Sequence, residues 1–386
     1  MQPTGVLETA KATNPLKDLL KFGQSVWLDY IRRDLFTTGE LKRMIEEDGL
    51  RGMTSNPSIF EKAINESDYY KDSLRSLESR TDLDAGGRYE VLAMRDIQDA
   101  ADALRPVYDK TKRRDGYVSL EVSPFLARDT QATLNEARRL WKAVGRENLM
   151  VKVPGTAEGI PAFQQLISEG ININVTLLFA QEVYEKVAEA YIAGLEQLAA
   201  RGGDVSKIGS VASFFISRID SSVDKIVEAR LKAPKDEREK ADLQSILGKV
   251  ATANGKQTYQ KYLRIFGTDR WKKLAGKGAQ TQRVLWASTS TKNPNYSDVM
   301  YVDELIGPDT VNTIPPATFD AFRDHGRPRA SLTEKLAEAD RVMQTTTKLG
   351  ISMREVTDKL TDDGVKLFAD AFDKLLKAVE RTSKSK

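Results

Sequence analysis

The octapeptide NLMVKVPG, residues 148–155, places an amine where amines are rare. Lys152 sits among Leu149, Met150, Val151 and Val153, the composition of a strand buried on both faces. Lysine almost never goes fully inside unless it is paired or used. With an ordinary pKa of about 10.4, roughly one lysine in 2,500 is neutral at pH 7. Desolvation at a strand end would lower that pKa by about 3 units, leaving a nucleophile able to form a Schiff base with a carbonyl substrate. The imine is then an electron sink for breaking a carbon–carbon bond. Two structural readings compete with this one: a lysine snorkelling outward, or one held in an ion pair with Glu121.

Composition narrows the chemistry further. The chain of 386 residues contains no cysteine and one histidine, His325. Disulfides, Cys-ligated zinc, thiol nucleophiles, His-based metal clusters and Ser-His-Asp triads are therefore excluded, and neither a metal nor a cofactor is expected. His325, in RDHGRPR, reads as a surface loop residue. Its 59 basic and 56 acidic side chains interleave to a net charge of +3, which gives no reason to expect nucleic acid or a membrane surface as partner. The N-terminal stretch MQPTGVLETAKATNPLKDLL has no apolar core after a basic start, so no secretory signal is expected. The longest apolar stretches, such as INVTLLFA, are too short to span a bilayer. A cytoplasmic location is the expectation, with monomer and homodimer both open.

The elements that would position Lys152 recur along the chain. Strands are predicted at 25–31, 52–56, 117–123, 149–153, 171–179, 208–216, 283–289 and 311–315, mostly as continuous apolar runs. Amphipathic helices fit between them. TQATLNEARRLWKAVG carries Leu134, Ala137, Trp141 and Val144 on one face and stops at Gly145, and AQEVYEKVAEAYIAGLEQLAARGG repeats the pattern. Eight strands alternating with helices predict an α/β fold, an eight-stranded parallel (β/α)8 TIM barrel with additional helices. One barrel domain is expected over residues 1–386. Helical elaborations are predicted at 57–116 and 220–280, with two further helices at 331–348 and 362–381 and a frayed basic tail, RTSKSK.

In such a barrel functional groups stand at the C-terminal ends of the strands. Those ends carry Asp29, Thr54 to Asn56, Glu121, Ser123, Lys152, Asn174, Thr176, Ser213, Arg218, Ser288 and Lys292. Glu121 and Asp29 are the acid/base candidates, since aldol cleavage needs a base for a hydroxyl and imine formation needs proton shuttling. Each alone reads equally as half of an ion pair. Asn174, Thr176 and Ser213 are neutral groups suited to substrate hydroxyls or to capping strand ends. Arg218, Ser288 and Lys292 together would suit a phosphate, although a lone arginine after a strand is usually just solvated. VPGTAEG is not a phosphate-binding P-loop, lacking the Gly-Lys-Ser/Thr ending.

The blocks WLDY, GMTSNPSIF, LEVSP, NLMVKVPGT, GININVTLLF, VASFFISRID and LWASTSTKNP, in this order over about residues 15–380, resemble the transaldolase family in its long bacterial-type form. The resemblance implies a class I aldolase barrel that moves a dihydroxyacetone unit between sugar phosphates. The donor would be sedoheptulose 7-phosphate and the acceptor glyceraldehyde 3-phosphate, giving erythrose 4-phosphate and fructose 6-phosphate. It implies Lys152 as the Schiff-base lysine, Asp29 as acid/base at the C4 hydroxyl, and Glu121 with Thr176 holding a catalytic water. Asn56, Asn174 and Ser213 would bind the dihydroxyacetone hydroxyls, and Arg218 with Ser288 the phosphate. Where the family often carries an arginine after that serine, this chain has Lys292 as its replacement.

Three other readings are weighed against this one. An aldolase of the same superfamily would release free dihydroxyacetone, and Phe215 in SFF, where such aldolases tend to carry tyrosine, favours transfer. A metal-dependent aldolase or isomerase is disfavoured by the single histidine. A barrel used only as a binding scaffold would leave Lys152 without a trappable amine.

Overall fold

Residues 14–384 of the chain are described in a computed structural model. The apolar runs form eight strands: β1 (Gln24–Asp29), β2 (Leu50–Thr54), β3 (Tyr117–Glu121), β4 (Leu149–Pro154), β5 (Ile173–Leu178), β6 (Ser210–Phe215), β7 (Arg283–Ala287) and β8 (Thr310–Ile314). Each pairs in parallel with its sequence neighbours, and β8 pairs with β1 to close the barrel. This is the α/β barrel that the alternation of strands and helices implies. Strand boundaries fall within two residues of expectation, mostly because residues such as Tyr30, Ile31 and Val122 prolong an apolar run beyond the strand.

Side chains along each strand alternate between the helix layer and the barrel axis. On β1 the axial set is Ser25, Trp27 and Asp29. Trp27 fills the middle of the barrel, and its neighbour in register is Gly52. A Cβ at Gly52 would lie 2.5 Å from the indole, so only glycine leaves room for that ring. Below the indole, at the N-terminal end, Arg283 and Asp115 form a buried ion pair at 2.8 Å. Ser25 Oγ and Trp27 Nε1 also donate to Asp115. Burial would raise the Asp115 carboxyl, but Arg283 and these donors outweigh it and hold it below the ordinary carboxylate value.

Helices Thr130–Val144 and Gln181–Ala200 form as read, and both elaborations are helical. The first contains Pro57–Asn65, Lys71–Glu78 and Ala85–Lys110. The second follows Ser217–Leu231 with Glu237–Ile246, Val250–Ile265 and Asp269–Ala275. The C-terminal pair differs from expectation. The first helix is Leu336–Lys348, and the second starts nine residues early, as Met353–Lys384. Ser352 caps that early start, its Oγ accepting from Glu355 N at 3.2 Å, the Ser-x-x-Glu spacing of a capping box. The tail expected to fray is helical to Lys384, and residues 385–386 lie outside the described part. Among the described residues no helix is long and apolar enough to cross a membrane.

Removing one partner of a buried ion pair leaves the other charge uncompensated. Asp115→Ala is therefore expected to cost about 3–5 kcal/mol, read as a lower urea midpoint at unchanged slope. Because the folded pKa of Asp115 is depressed, its contribution is present above the unfolded carboxylate pKa and lost as the pH falls through the folded one. The gap between variant and parent should shrink on acidification. A gap independent of pH would assign the loss to packing instead.

Candidate active site

The mouth at the C-terminal end of the strands gathers the polar groups. Glu121 and Lys152 are register partners on adjacent strands, and Lys152 is the partner of Asn174 on the next. The Lys152 side chain is 5% exposed and that of Glu121 7%, with Nζ and Oε2 separated by 3.3 Å. Lys152 also donates to the Ser55 carbonyl at 3.2 Å. The ion-pair reading of Lys152 is thus correct as geometry, and it does not exclude the nucleophile. Glu121 Oε2 lies close to the ammonium but is not aligned with it as a hydrogen bond, and Thr176 Oγ1 is buried with no partner either. Buried polar atoms left open in this way mark room for a water or a ligand hydroxyl.

Asp29 stands across the mouth, accepting from Thr54 Oγ1 at 2.6 Å. Thr54 is itself 2.6 Å from Thr313 Oγ1. Burial raises the Asp29 carboxyl above its ordinary value, opposed by Lys152, the Thr54 hydroxyl, Arg218 and Lys292. Burial likewise raises Glu121, opposed by Lys152 and reinforced by Asp29. Two carboxylates flank one ammonium, and both hold protons more readily than free carboxylates do.

Asn174 and Ser213 form a buried chain: Ser213 Oγ donates to Asn174 Oδ1 at 2.6 Å, and Asn174 Nδ2 donates to Ser119 Oγ at 3.0 Å. Asn56 caps helix Pro57–Asn65, its Oδ1 accepting from Ile59 N at 3.1 Å, while also lining the mouth. Arg218 enters from the first turn of Ser217–Leu231 and lies 5.3 Å from the Phe215 ring. Ser288 takes a φ of 55° directly after β7, and its Oγ is 3.0 Å from that of Ser217. Lys292 donates to Ser290 Oγ at 2.7 Å. Burial lowers the Lys292 ammonium, with repulsion from Arg218 and Lys62 adding to the effect. Two residues with positive φ, Leu177 and Ser288, sit at this end of the barrel, where backbone strain commonly accompanies function.

A cavity of about 570 Å³ joins these groups, within the size range of small-molecule sites. Eight of the ten expected site residues line it: Asp29, Asn56, Lys152, Thr176, Ser213, Arg218, Ser288 and Lys292. Asn174 lies behind Ser213, and Glu121 borders a separate cavity of about 320 Å³ beside Tyr89 and Phe372. The wall also contains residues that the sequence reading missed. Thr313 follows the strand-end rule and was open to discovery on β8. Lys62, Ser290 and Phe368 come from helices and a loop, whose approach to the mouth no local spacing encodes. His325 is on the surface as expected but ends helix Pro316–His325 instead of lying in a loop, and it pairs with Asp298 and Asp324. Among the described residues no three His, Asp or Glu side chains are grouped to hold a metal ion.

Comparison with known proteins identifies the family. Residues 26–379 match the family model described as transaldolase/fructose-6-phosphate aldolase. A transaldolase of Trichodesmium erythraeum is 49% identical over 382 residues, covering 96% of this chain and 98% of the relative. A protein named transaldolase 2 from a Nostoc species is 48% identical over 380 residues, covering 96% and 97%. A transaldolase of Thiobacillus denitrificans is 46% identical over 363 residues, covering 94% and 99%. The chain belongs to the transaldolase/fructose-6-phosphate aldolase family.

Proposed function

We propose that the transaldolase reaction runs on this chain through a Schiff base at Lys152, moving a dihydroxyacetone unit from sedoheptulose 7-phosphate to glyceraldehyde 3-phosphate. The observation that carries the site assignment is the buried Lys152 ammonium flanked by two carboxyls of raised pKa, facing a cavity whose far side is cationic. Nζ passes its proton to Glu121 and, as the neutral amine, attacks the ketose C2 carbonyl. The carbinolamine loses water, with Glu121 moving the proton through a water held at the open Glu121 and Thr176 oxygens. Asp29 takes the C4 hydroxyl proton, the C3–C4 bond breaks, and its electron pair enters the imine as an enamine. Erythrose 4-phosphate departs. C3 then attacks the acceptor aldehyde, Asp29 returns its proton to the new hydroxyl, and hydrolysis of the imine releases fructose 6-phosphate. Asn56, Asn174 and Ser213 orient the dihydroxyacetone hydroxyls, and Arg218, Ser288 and Lys292 hold the phosphate. No metal or organic cofactor enters, and the proposed setting is the cytoplasm, where sugar phosphates are metabolised. Phe215 on the wall supports transfer over release of free dihydroxyacetone, because a dry enamine waits for an aldehyde.

Borohydride added with fructose 6-phosphate should fix a mass increment on the peptide carrying Lys152 and abolish activity in step. Without the sugar neither change is expected. Lys152→Arg should be inactive, since a guanidinium stays protonated above about pH 12 and cannot become a neutral amine. A label on another lysine, with Lys152 unmodified, would overturn the assignment.

Arg218→Ala is expected to weaken sugar-phosphate use by about 1.5–3 kcal/mol, roughly ten- to a hundredfold in kcat/KM. Turnover of unphosphorylated fructose should fall much less. Equal losses on both donors would remove the phosphate role.

Asp29→Asn should form the imine and stall before carbon–carbon cleavage. It should also be more stable than the parent at pH 8. A carboxyl whose folded pKa is raised costs stability that builds as the pH rises from the unfolded pKa to the folded one and is absent below the unfolded pKa. The difference in Tm should therefore disappear on acidification, and a variant less stable at every pH would contradict this account of the site.

A further inference from the structure

One wall of the mouth is supplied by the C-terminal helix, outside the barrel. Helix Met353–Lys384 has 32 residues, about 48 Å at 1.5 Å per residue. It crosses from β5 and helix Ser217–Leu231 to the helices of the first elaboration. Its seat is tight where it passes β5: a Cβ at Gly364 would come within 2.9 Å of Leu177 Cδ2 and 3.7 Å of an Arg218 nitrogen. One turn further, at i+4 on the same face, Phe368 enters the cavity, with its ring centroid 5.6 Å from Lys152 Nζ. Another turn on, Phe372 anchors the helix edge-to-face against Tyr89 at 5.6 Å and Phe125 at 5.8 Å. Phe368 is thus gripped on both sides, buried, and aimed at the amine.

From this placement we infer that Phe368 sets the partition between transfer and hydrolysis, by roofing the enamine against water. The inference rests on Lys152 being the Schiff-base residue. After the first aldehyde leaves, the enamine carbon C3 has two fates. It attacks the acceptor carbonyl and the unit is transferred. Alternatively, a water proton is delivered to C3, the electron pair returns from the nitrogen, and the dihydroxyacetone imine is hydrolysed at C2. The second route converts fructose 6-phosphate into dihydroxyacetone and glyceraldehyde 3-phosphate, with the amine regenerated. Phe368 offers no proton, excludes water from the side facing Lys152, and turns an aromatic ring toward the iminium cation, which it attracts. Phe215 covers the same cavity from β6, so the reactive carbon would lie between two aromatic groups, one from the barrel and one from the C-terminal helix.

The test is a graded series, Phe368→Leu, Phe368→Val and Phe368→Ala, in the full-length protein. Free dihydroxyacetone released from fructose 6-phosphate is measured against unit transferred to erythrose 4-phosphate, in H2O and in D2O. Smaller side chains should raise the release-to-transfer ratio progressively, to about tenfold or more for alanine. In D2O the released dihydroxyacetone should carry one deuterium on carbon in parent and variants alike, identifying release as protonation at C3. A merely structural role for Phe368 would lower release and transfer together and leave their ratio unmoved. Phe368→Leu preserves most of the volume and keeps the series readable if the alanine variant does not fold. An unchanged ratio across every folded variant that still traps at Lys152 with borohydride would overturn the proposal. Failure of the parent protein to trap at Lys152 would instead overturn the Schiff-base reading beneath it.

Discussion

An ammonium deep in a parallel barrel is the constraint around which the mouth is organised. Taking such an ion out of water costs several kcal/mol, and its surroundings must offset that. Glu121 supplies the opposite charge from the adjacent strand, and the Ser55 carbonyl supplies an acceptor from the turn after β2. Glu121 arrives by strand register, and the Ser55 carbonyl by the turn that ends β2. Neither contact is saturating: Glu121 Oε2 is left without an aligned donor. A fully satisfied pair would be inert, whereas this one leaves room for a proton to be passed.

The polar interior is layered along the barrel axis. Asp115, Arg283 and Ser25 form a closed network at the bottom, with each group answered inside the protein. Asn174, Ser213 and Ser119 form a neutral chain at mid-height. At the top the groups stay partly unanswered, and two carboxyls hold protons more readily than usual. The closed ion pair below and the open Glu121 and Thr176 oxygens above fit a fold whose stable base supports a reactive mouth.

The parts of this arrangement legible in the sequence were those that follow the βα repeat. Apolar runs of strand length located all eight strands, and the rule that strand ends carry function reached Asp29, Glu121, Lys152 and Thr176. It reached them because register, once the barrel closes, leaves little freedom in where they point. Lys62 and Phe368 escaped for the opposite reason. Their positions depend on how helices outside the repeat lie across the mouth, which is set by contacts such as Gly364 on Leu177 between residues far apart in sequence. The early start of the last helix was, by contrast, written locally in Ser352 and Glu355, and the amphipathic pattern read from residue 362 passed over it.

Trp27, packed against Gly52, has a consequence beyond filling space. It makes the barrel a blind tube with one opening. In the proposed site both aldehyde phosphates use that opening and the same cationic corner, so the first product vacates before the second substrate enters. A double-displacement order, with acceptor and departing aldehyde competing for one form of the enzyme, fits a covalent imine at the end of a tube closed by Trp27 and by the Asp115–Arg283 pair below it.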